Sequence, residues 1–514
     1  MDSLIEVLSL HAQRQPARPA LFFADQTISY QELFVRSERF AQSLLAWGLR
    51  TGDRVALFLD NSPTFVTTYL GIQLAGGIVV LVNTQYRQVE LSHIMTDAGV
   101  RFCVTSAQGA HELQRLSLPD LALLIIADNP DVQTPTSPIP CLTFAAFVSH
   151  YSSLSPLPLS LPRADAPALL AYTSGTTGRA KGALLSQRNL LANITTLTTA
   201  WHWTDQDRLL LALPLFHAHG LMVGLHGTLF TGASAVLHVK FVAPNILATL
   251  QNDPQITLFF GVPTMYARLL KELERQEVPL PRLRLFVSGS APLSPQLFSA
   301  FERLSGQRIL ERYGMTETIM NMTNPYEGER RAGTVGAPFP GQEARIVDVR
   351  TRDLLPAGEI GEIEVRGPHV FSGYWNRPDA TAEAFSADGW FKTGDLGWRS
   401  DDGYYTITGR ARELIISGGY NIYPREVEDV LSEHPAVAEV AVLGLPDPEM
   451  GEQVVAAVVP QEGQTPDASE LIAFCRERLA SYKKPRHVVF LQTLPRNALG
   501  KVQKHLLAAQ LPLS

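Results

Sequence analysis

Short, fully apolar runs alternate with amphipathic stretches over the first half of the chain, and this alternation permits few folds. Four such runs come first, at residues 55–59, 78–82, 102–105 and 121–126. Strands buried on both faces have this composition. Between the runs, apolar residues such as Leu33, Phe40 and Leu44 recur at helical spacing. The sequence therefore predicts an α/β fold in which helices cover mainly parallel sheets built from right-handed crossovers.

The same alternation returns after residue 200, with strands predicted at 209–213, 235–239, 257–261 and 283–288. Three of these strands end in small or polar residues, around His217, Thr264 and Ser288. Ligands of parallel sheets bind at the carboxyl ends of the strands. Each strand end taken alone is also compatible with an ordinary strand-to-helix turn, and His217 with a buried histidine that has its hydrogen bonds within the core.

Two later changes of pattern interrupt this alternation. Residues 128–167 are rich in proline and serine, which predicts an exposed excursion. From 341 to 394 the helical period gives way to short alternating segments, which predicts a small antiparallel barrel or sheet. We predict a large domain over 1–410, with its barrel-like part at about 335–410, and a small mobile α+β lid over 411–514.

Composition excludes several classes of protein. A chain of 514 residues is too long for one core. It has 43 basic against 50 acidic residues and no basic run that would follow a nucleic-acid backbone, so we do not expect nucleic acid as a partner. Three widely spaced cysteines fit a reducing compartment. Because the amino terminus lacks a signal-peptide pattern and no apolar run approaches 18 residues, we expect a cytoplasmic protein with no transmembrane segment. The sequence does not predict the oligomeric state.

Residues 172–182 read Tyr-Thr-Ser-Gly-Thr-Thr-Gly-Arg-Ala-Lys-Gly. Backbone amides of such a segment can surround phosphate oxygens, with Lys181 as a point charge. The order differs from the Walker pattern, since Lys181 is followed by glycine. The alternative interpretation is a surface turn rich in small polar residues.

A second candidate segment, residues 310–318, reads Leu-Glu-Arg-Tyr-Gly-Met-Thr-Glu-Thr. The Tyr313 ring can lie against adenine, and the Thr316 hydroxyl can bond a phosphate. The Glu317 carboxylate is a ligand that Mg²⁺ accepts when it bridges ATP phosphates. The alternative is a hairpin turn around Gly314.

These segments, in this order and over almost the whole chain, resemble the adenylate-forming enzymes, and among them the acyl-CoA synthetases. The resemblance implies an AMP-binding domain followed by a lid, with ATP, Mg²⁺ and CoA bound and a carboxylic acid as substrate. Its implied ATP and CoA contacts are Thr173, Ser174, Gly175, Thr176, Thr177, Gly178, Lys181, Gly289, Ser290, Ala291, Glu311, Arg312, Tyr313, Gly314, Met315, Thr316, Asp395, Arg410, Gly418 and Gly419.

Within that set, the resemblance assigns the ribose to Asp395 and Arg410 and the pantetheine arm to the loop at Gly418 and Gly419. It assigns Mg²⁺ to Thr176 and Glu317 and makes Lys501 the catalytic lysine of the lid, with Thr176, Glu317 and His217 also catalytic. The hinge is Arg412. Taken without the resemblance, Asp395 can cap its own turn and Lys501 is one of many solvated lysines. Two departures from the family pattern are Ala180 in place of proline and Arg412 in place of aspartate or lysine.

Among acyl-CoA synthetases, the chain is most similar to those that use malonate, through residues 213–221, 284–292 and 312–325. This implies an acid pocket lined by His217, Ser288, Gly314 and Met315. A second carboxylate buried there requires a cation, and we expect Arg284 to provide it. Methylmalonate is a possible further substrate. The alternatives are a medium-chain or aromatic acyl-CoA synthetase, an adenylation domain that feeds a carrier protein on another chain, and a nucleotide-binding homologue without catalysis.

Overall fold

The computed structural model describes residues 1–127, 139–151, 159–173, 180–276, 279–417, 420–496 and 501–511. No helix of these residues is long and apolar enough to cross a membrane.

The strands in these residues are β1 Pro19–Phe23, β2 Gln26–Ser29, β3 Arg54–Phe58, β4 Ile78–Leu81, β5 Val100–Thr105, β6 Leu123–Ile126, β7 Cys141–Thr143, β8 Pro167–Thr173, β9 Lys181–Ser186, β10 Arg208–Leu211, β11 Ser234–Leu237, β12 Leu258–Gly261, β13 Leu285–Ser288, β14 Leu310–Tyr313, β15 Met322–Thr323, β16 Ala337–Pro338, β17 Glu343–Val347, β18 Gly361–Arg366, β19 Gly373–Tyr374, β20 Phe391–Arg399, β21 Tyr405–Arg410, β22 Ile415–Ser417, β23 Tyr420–Ile422, β24 Val437–Asp447, β25 Gly451–Pro460 and β26 His487–Phe490.

The α-helices are α1 Leu4–Arg14, α2 Tyr30–Ala46, α3 Pro63–Leu74, α4 Gln88–Asp97, α5 Ala107–Leu113, α6 Phe144–Tyr151, α7 Gln187–Ala200, α8 His226–Thr231, α9 Ala243–Asn252, α10 Pro263–Gln276, α11 Pro295–Ser305, α12 Pro378–Ala384, α13 Pro424–Ser432, α14 Ala468–Arg478 and α15 Lys504–Gln510. A π-helix spans His219–Leu225 and a 3₁₀ turn spans Ala411–Glu413.

The apolar runs of residues 55–126 belong to an eight-stranded sheet in the order β19-β9-β8-β4-β3-β5-β6-β7. Its strands from β8 to β7 are parallel, whereas β9 returns antiparallel to β8. The parallel strands are apolar on both faces because α2 and α3 lie on one side and α4 and α5 on the other. This return of the chain from β8 to β9 positions the predicted phosphate loop.

The strands predicted after residue 200 belong to a nine-stranded sheet in the order β16-β15-β14-β13-β12-β10-β11-β1-β2. The six strands from β14 to β1 are parallel. The carboxyl ends of β10, β12, β13 and β14 therefore lie along one edge, where the sequence had placed candidate site residues.

Two smaller sheets follow. The four strands β17-β18-β20-β21 form an antiparallel sheet, and β23-β22-β25-β24, with β26 parallel to β25, form the last one. The α/β fold, with mainly parallel sheets and a small α+β C-terminal part, is confirmed. The domain boundary at 410/411 stays a prediction.

The predicted exposed excursion over 128–167 is wrong in part. Phe147 on α6 has no exposed surface and lies 5.3 Å, centroid to centroid, from the Phe40 ring. An apolar helix of eight residues thus adds to the core beside α2, although proline and serine surround it in the sequence.

Candidate active site

Two paired strand residues bound the predicted phosphate loop. Thr173 ends β8 and Lys181 begins β9, and they face each other in the antiparallel register. The predicted contact residues between them lie outside the described residues: Ser174, Gly175, Thr176, Thr177 and Gly178. Their contacts with phosphate and Mg²⁺ stay predictions.

Glu317 lies beside these two strand ends. Its carboxylate accepts hydrogen bonds from the Thr173 hydroxyl at 3.4 Å and from the Tyr374 hydroxyl at 3.0 Å. The Lys181 ammonium lies 5.1 Å from the centroid of the Tyr374 ring. Burial raises the pKa of Glu317, so a cation bound here would stabilise its charged form. The arrangement fits a single carboxylate ligand for Mg²⁺ next to bound phosphates.

The strand β14 ends at Tyr313, and the turn that follows it holds three further predicted site residues. Tyr313 points toward β20, where its hydroxyl donates to Asp395 at 2.5 Å. Gly314 follows, and a Cβ there would lie 2.0 Å from the Ile319 carbonyl oxygen, so the turn accepts only glycine. Met315 and Thr316 are half-buried in this turn.

Asp395 joins Tyr313 to Arg410. Its second carboxylate oxygen pairs with the Arg410 Nε at 2.8 Å, and the aspartate is only 4% exposed. The charge of Asp395 raises the pKa of Arg410. All three residues line one cavity of about 530 Å³, together with Gly314, Ser290 and Ala291. The structure thus brings together residues that are up to about 120 positions apart in the sequence.

Two histidines, His217 and His219, follow the end of β10 and lie beside Ser290, which follows β13. The His219 backbone N–H donates to the His217 Nδ1 at 3.4 Å, and the His219 Nδ1 lies 3.4 Å from the Ser290 hydroxyl. Burial, with the charge of Arg312, lowers the pKa of His217 to about 4 and that of His219 in the same direction. Both rings are therefore neutral near pH 7. Ser288 is fully buried nearby, and its hydroxyl has no hydrogen-bond partner among the described residues.

The preceding β14 residues, Glu311 and Arg312, are almost fully buried. Glu311 accepts a hydrogen bond from the Leu293 backbone N–H at 2.9 Å, and burial raises its pKa to about 8. Arg312 packs against Gly289, where a Cβ would lie 2.4 Å from the guanidinium carbon. A side chain at 289 would therefore displace the buried Arg312 guanidinium.

The expectation that Arg284 binds a substrate carboxylate is wrong. Its guanidinium pairs with Asp207 through two contacts of 2.9 Å and donates to the Trp201 carbonyl at 2.8 Å. Arg284 precedes β13 and so lies at the amino end of that parallel strand, opposite the edge that carries His217 and Ser288. It stabilises the sheet.

The C-terminal part closes the cavity from the other side. Lys501 lines it with Asp395 and Arg410. Although the Lys501 residue is exposed, loss of water around its ammonium and the charge of Arg410 lower its pKa. Arg412 lies in the 3₁₀ turn between β21 and β22, where the chain passes from one small sheet to the next. Gly418 and Gly419 lie outside the described residues.

Sequence reasoning missed Tyr374 and His219. Tyr374 reaches Glu317 because β19 pairs with β9, the strand that begins with Lys181. No local pattern predicts a pairing of two residues between strands almost 200 positions apart. His219, by contrast, is two residues from His217 and was visible as part of the same strand-end segment.

The pattern of the AMP-binding enzyme family matches residues 8–375, and that of the AMP-binding enzyme C-terminal domain matches residues 426–501. A long-chain-fatty-acid–CoA ligase from Bacillus subtilis is 36% identical, covering 97% of this chain and 93% of the relative. A sulfoacetate–CoA ligase from Cupriavidus necator is 38% identical, covering 98% of this chain and 97% of the relative. A malonate–CoA ligase from Arabidopsis thaliana is 35% identical, covering 94% of this chain and 81% of the relative.

Among solved structures, ATP-bound MatB from Rhodopseudomonas palustris is 38% identical, with a TM-score of 0.89 over 98% of both chains. The apo form of the same protein gives 0.79 over 99% of this chain and 98% of that chain. The arrangement of this chain is therefore nearer to the ATP-bound form.

Proposed function

The chain belongs to the AMP-binding enzyme family, and we propose that the acid it activates is malonate. As an acyl-CoA ligase it uses ATP, Mg²⁺ and CoA in two steps. A carboxylate oxygen attacks the α-phosphorus of ATP and pyrophosphate leaves. The CoA thiol then attacks the carbonyl carbon of the acyl-AMP, loses its proton, and AMP leaves.

The observation that carries the proposal is the aromatic wall behind His219. The Phe260 ring stacks on His219 at 6.3 Å, and the Trp201 and Trp203 rings contact Phe260 edge-on at 5.6 and 5.3 Å. Phe260 and Trp201 have no exposed surface. We propose that this wall limits the depth of an acid pocket beside His217, which would favour a short substrate over a long chain.

The relatives support the same class. Malonate and sulfoacetate, the acids named for two of them, each carry an anionic group one methylene away from the reacting carboxylate. The named fatty-acid ligase supports the alternative of a longer chain. The aromatic wall is our reason for preferring the short acid.

We propose the following roles for the chain's residues in ATP binding. Lys181 and the loop from Thr173 to Gly178 bind the phosphates, and Glu317 with Thr176 holds Mg²⁺, which neutralises phosphate charge when bound. Asp395 and Arg410 hold the ribose.

For the rest of the site, we propose that Lys501 binds the substrate carboxylate and the α-phosphate and that Arg412 is the hinge of the lid. Tyr313 and the backbone around Gly289 and Gly314 border the adenine. The cytoplasmic location stays a prediction.

The test is ATP- and CoA-dependent formation of AMP with acetate, malonate, methylmalonate, succinate, octanoate and an aromatic acid, with the thioester identified by mass. We expect malonate to exceed acetate and octanoate at least tenfold in kcat/KM, the effect of about 1.4 kcal/mol in the transition state. A lead for octanoate or the aromatic acid would refute malonate but retain the ligase. No AMP with any acid would favour a homologue without catalysis.

A further inference from the structure

The helix α4 presents two polar side chains to the strands β8 and β9, at the base of the phosphate loop. His93 and Asp97 are four residues apart and therefore lie on the same face of the helix. Neither lines the cavity of about 530 Å³. Asp97 is the last residue of α4, where a carboxylate meets the negative end of the helix dipole and is unfavourable. Its place there, with only 10% of the side chain exposed, calls for an explanation.

Asp97 contacts the β8 side of the loop. One of its carboxylate oxygens accepts a hydrogen bond from the Tyr172 hydroxyl at 2.8 Å, and the other pairs with a terminal nitrogen of Arg377 at 2.6 Å. Burial and the hydrogen bond to Asp97 raise the pKa of Tyr172, so its hydroxyl stays protonated and donates. Tyr172 directly precedes Thr173, the last residue of β8. The carboxylate thus fixes the backbone from which the loop begins.

His93 contacts the β9 side. Its Nε2 lies 2.7 Å from the Ala180 carbonyl oxygen. Because a carbonyl oxygen only accepts hydrogen bonds, the imidazole N–H is the donor. Ala180 directly precedes Lys181, the first residue of β9, and it stands where the family pattern has proline, so no ring fixes its φ. The hydrogen bond from His93 therefore restrains the backbone next to Lys181.

The two contacts act on strands that are paired with each other. Thr173 pairs with Lys181, and Tyr172 pairs with Gly182, across the antiparallel register. A Cβ at Gly182 would lie 3.1 Å from the Cζ of Tyr172, so the tyrosine ring packs directly on the opposite strand. The His93 ring in turn lies edge-on to the Tyr172 ring, 6.2 Å from centroid to centroid. One face of α4 thus holds both strands at the base of the loop.

We propose that His93 and Asp97 are positioning residues of adenylation, because they fix the two strands from which Thr173 and Lys181 meet the phosphates of ATP. This rests on the proposed phosphate binding by these residues. A displacement of 1 Å, caused by a residue away from the chemistry, can lower a rate by about 100-fold. Thiol attack on the acyl-AMP takes place after pyrophosphate has left, so the second half-reaction does not depend on these contacts.

The test compares the two half-reactions in His93→Leu, which removes the donor, and in Tyr172→Phe, which removes the hydroxyl that bonds to Asp97. Acid-dependent pyrophosphate exchange at varied ATP concentration measures adenylation, and thioester formation from supplied acyl-AMP measures the second step. The acid is the one that the wild type uses fastest, so the result does not depend on malonate.

We expect kcat/KM for ATP to fall by about 3- to 10-fold in His93→Leu, the effect of one neutral hydrogen bond. Tyr172→Phe should lose at least as much, because its hydrogen bond is to a charged group. Thioester formation from acyl-AMP stays at the wild-type rate in both. His111→Leu, which replaces an exposed histidine on α5, is the matched control and leaves both half-reactions unchanged.

His93→Gln separates the hydrogen bond from the packing of the ring. It keeps an N–H donor, so we expect it to recover most of the loss seen in His93→Leu. Equal losses in the two variants would overturn the role of the donor. Tyr172→Phe removes one oxygen and keeps the ring, and it decides the question if the leucine variant does not fold.

A value of kcat/KM for ATP within twofold of wild type in both His93→Leu and Tyr172→Phe would overturn the inference. An equal loss in both half-reactions would also overturn it, because a general loss of structure does not distinguish them. Lys181→Met identifies a failure of the proposed function. Normal adenylation in that variant would refute the proposed phosphate site, whereas a loss there without a loss in the other two would refute only the positioning role.

Discussion

Replacing Lys501 with alanine separates the two half-reactions. Lys501 lines the cavity beside Asp395 and Arg410, on the lid side. When the acid attacks ATP, negative charge accumulates around the α-phosphate, and a preorganised ammonium stabilises it. Thiol attack on the acyl-AMP does not need this charge, because pyrophosphate has already left.

The size of the effect follows from the site. Two unit charges 4 Å apart attract by about 4 kcal/mol at an effective dielectric constant of about 20. Lys501 is exposed, so water screens part of this attraction. We therefore expect a loss like that of one oxyanion-hole donor, at the lower end, about 100-fold or about 2.7 kcal/mol.

The assay measures pyrophosphate exchange for adenylation and conversion of supplied acyl-AMP to the thioester for the second step. Lys271→Ala, an exposed lysine on α10, is the control and leaves both rates unchanged. A similar loss in both half-reactions, or full adenylation in Lys501→Ala, would refute the assigned role.

Three further predictions follow from named contacts. Because the pKa of Lys501 is lowered, the adenylation rate should fall as pH rises through a value below the usual lysine pKa of about 10.4. Lys501→Ala should not show this fall in rate at high pH, and a fall that persists in the variant would contradict the assignment. Tyr374→Phe removes the 3.0 Å hydrogen bond to Glu317 and should raise the Mg²⁺ concentration needed for half-maximal adenylation severalfold with little change in stability; unchanged Mg²⁺ dependence would show that the contact does not orient the carboxylate. Arg284→Met leaves buried Asp207 with its hydrogen bonds from Thr204 and Thr257 only. The free energy of unfolding in urea should therefore fall by about 2–3 kcal/mol, while the preference among acids is unchanged. A tenfold loss of malonate preference would show that Arg284 binds the acid.

Much of the fold could be predicted because strands buried on both faces appear in the sequence as continuous apolar runs. The edge of the second sheet was predictable for the same reason, since residues that follow parallel strands meet at one edge. That rule also explains the error at Arg284: it precedes β13, so it lies at the other edge. Its partner Asp207 is 77 positions away, and nothing in the local sequence identifies it.

Other features depend on contacts that form only on folding. The position of Tyr374 follows from the pairing of β19 with β9, and the burial of Phe147 from its contact with α2. The burial of Arg312 likewise became visible only in the structure. The sequence could place it next to Tyr313, but not say which way each side chain points.

The most direct test of the account is acid-dependent exchange of labelled pyrophosphate into ATP by the wild-type protein without CoA. We predict exchange with malonate that is at least tenfold faster than with acetate, octanoate or malonamate, the effect of about 1.4 kcal/mol. Exchange that is equal for these acids, or fastest with octanoate, would contradict the central claim that this site adenylates a short acid with a second negative charge.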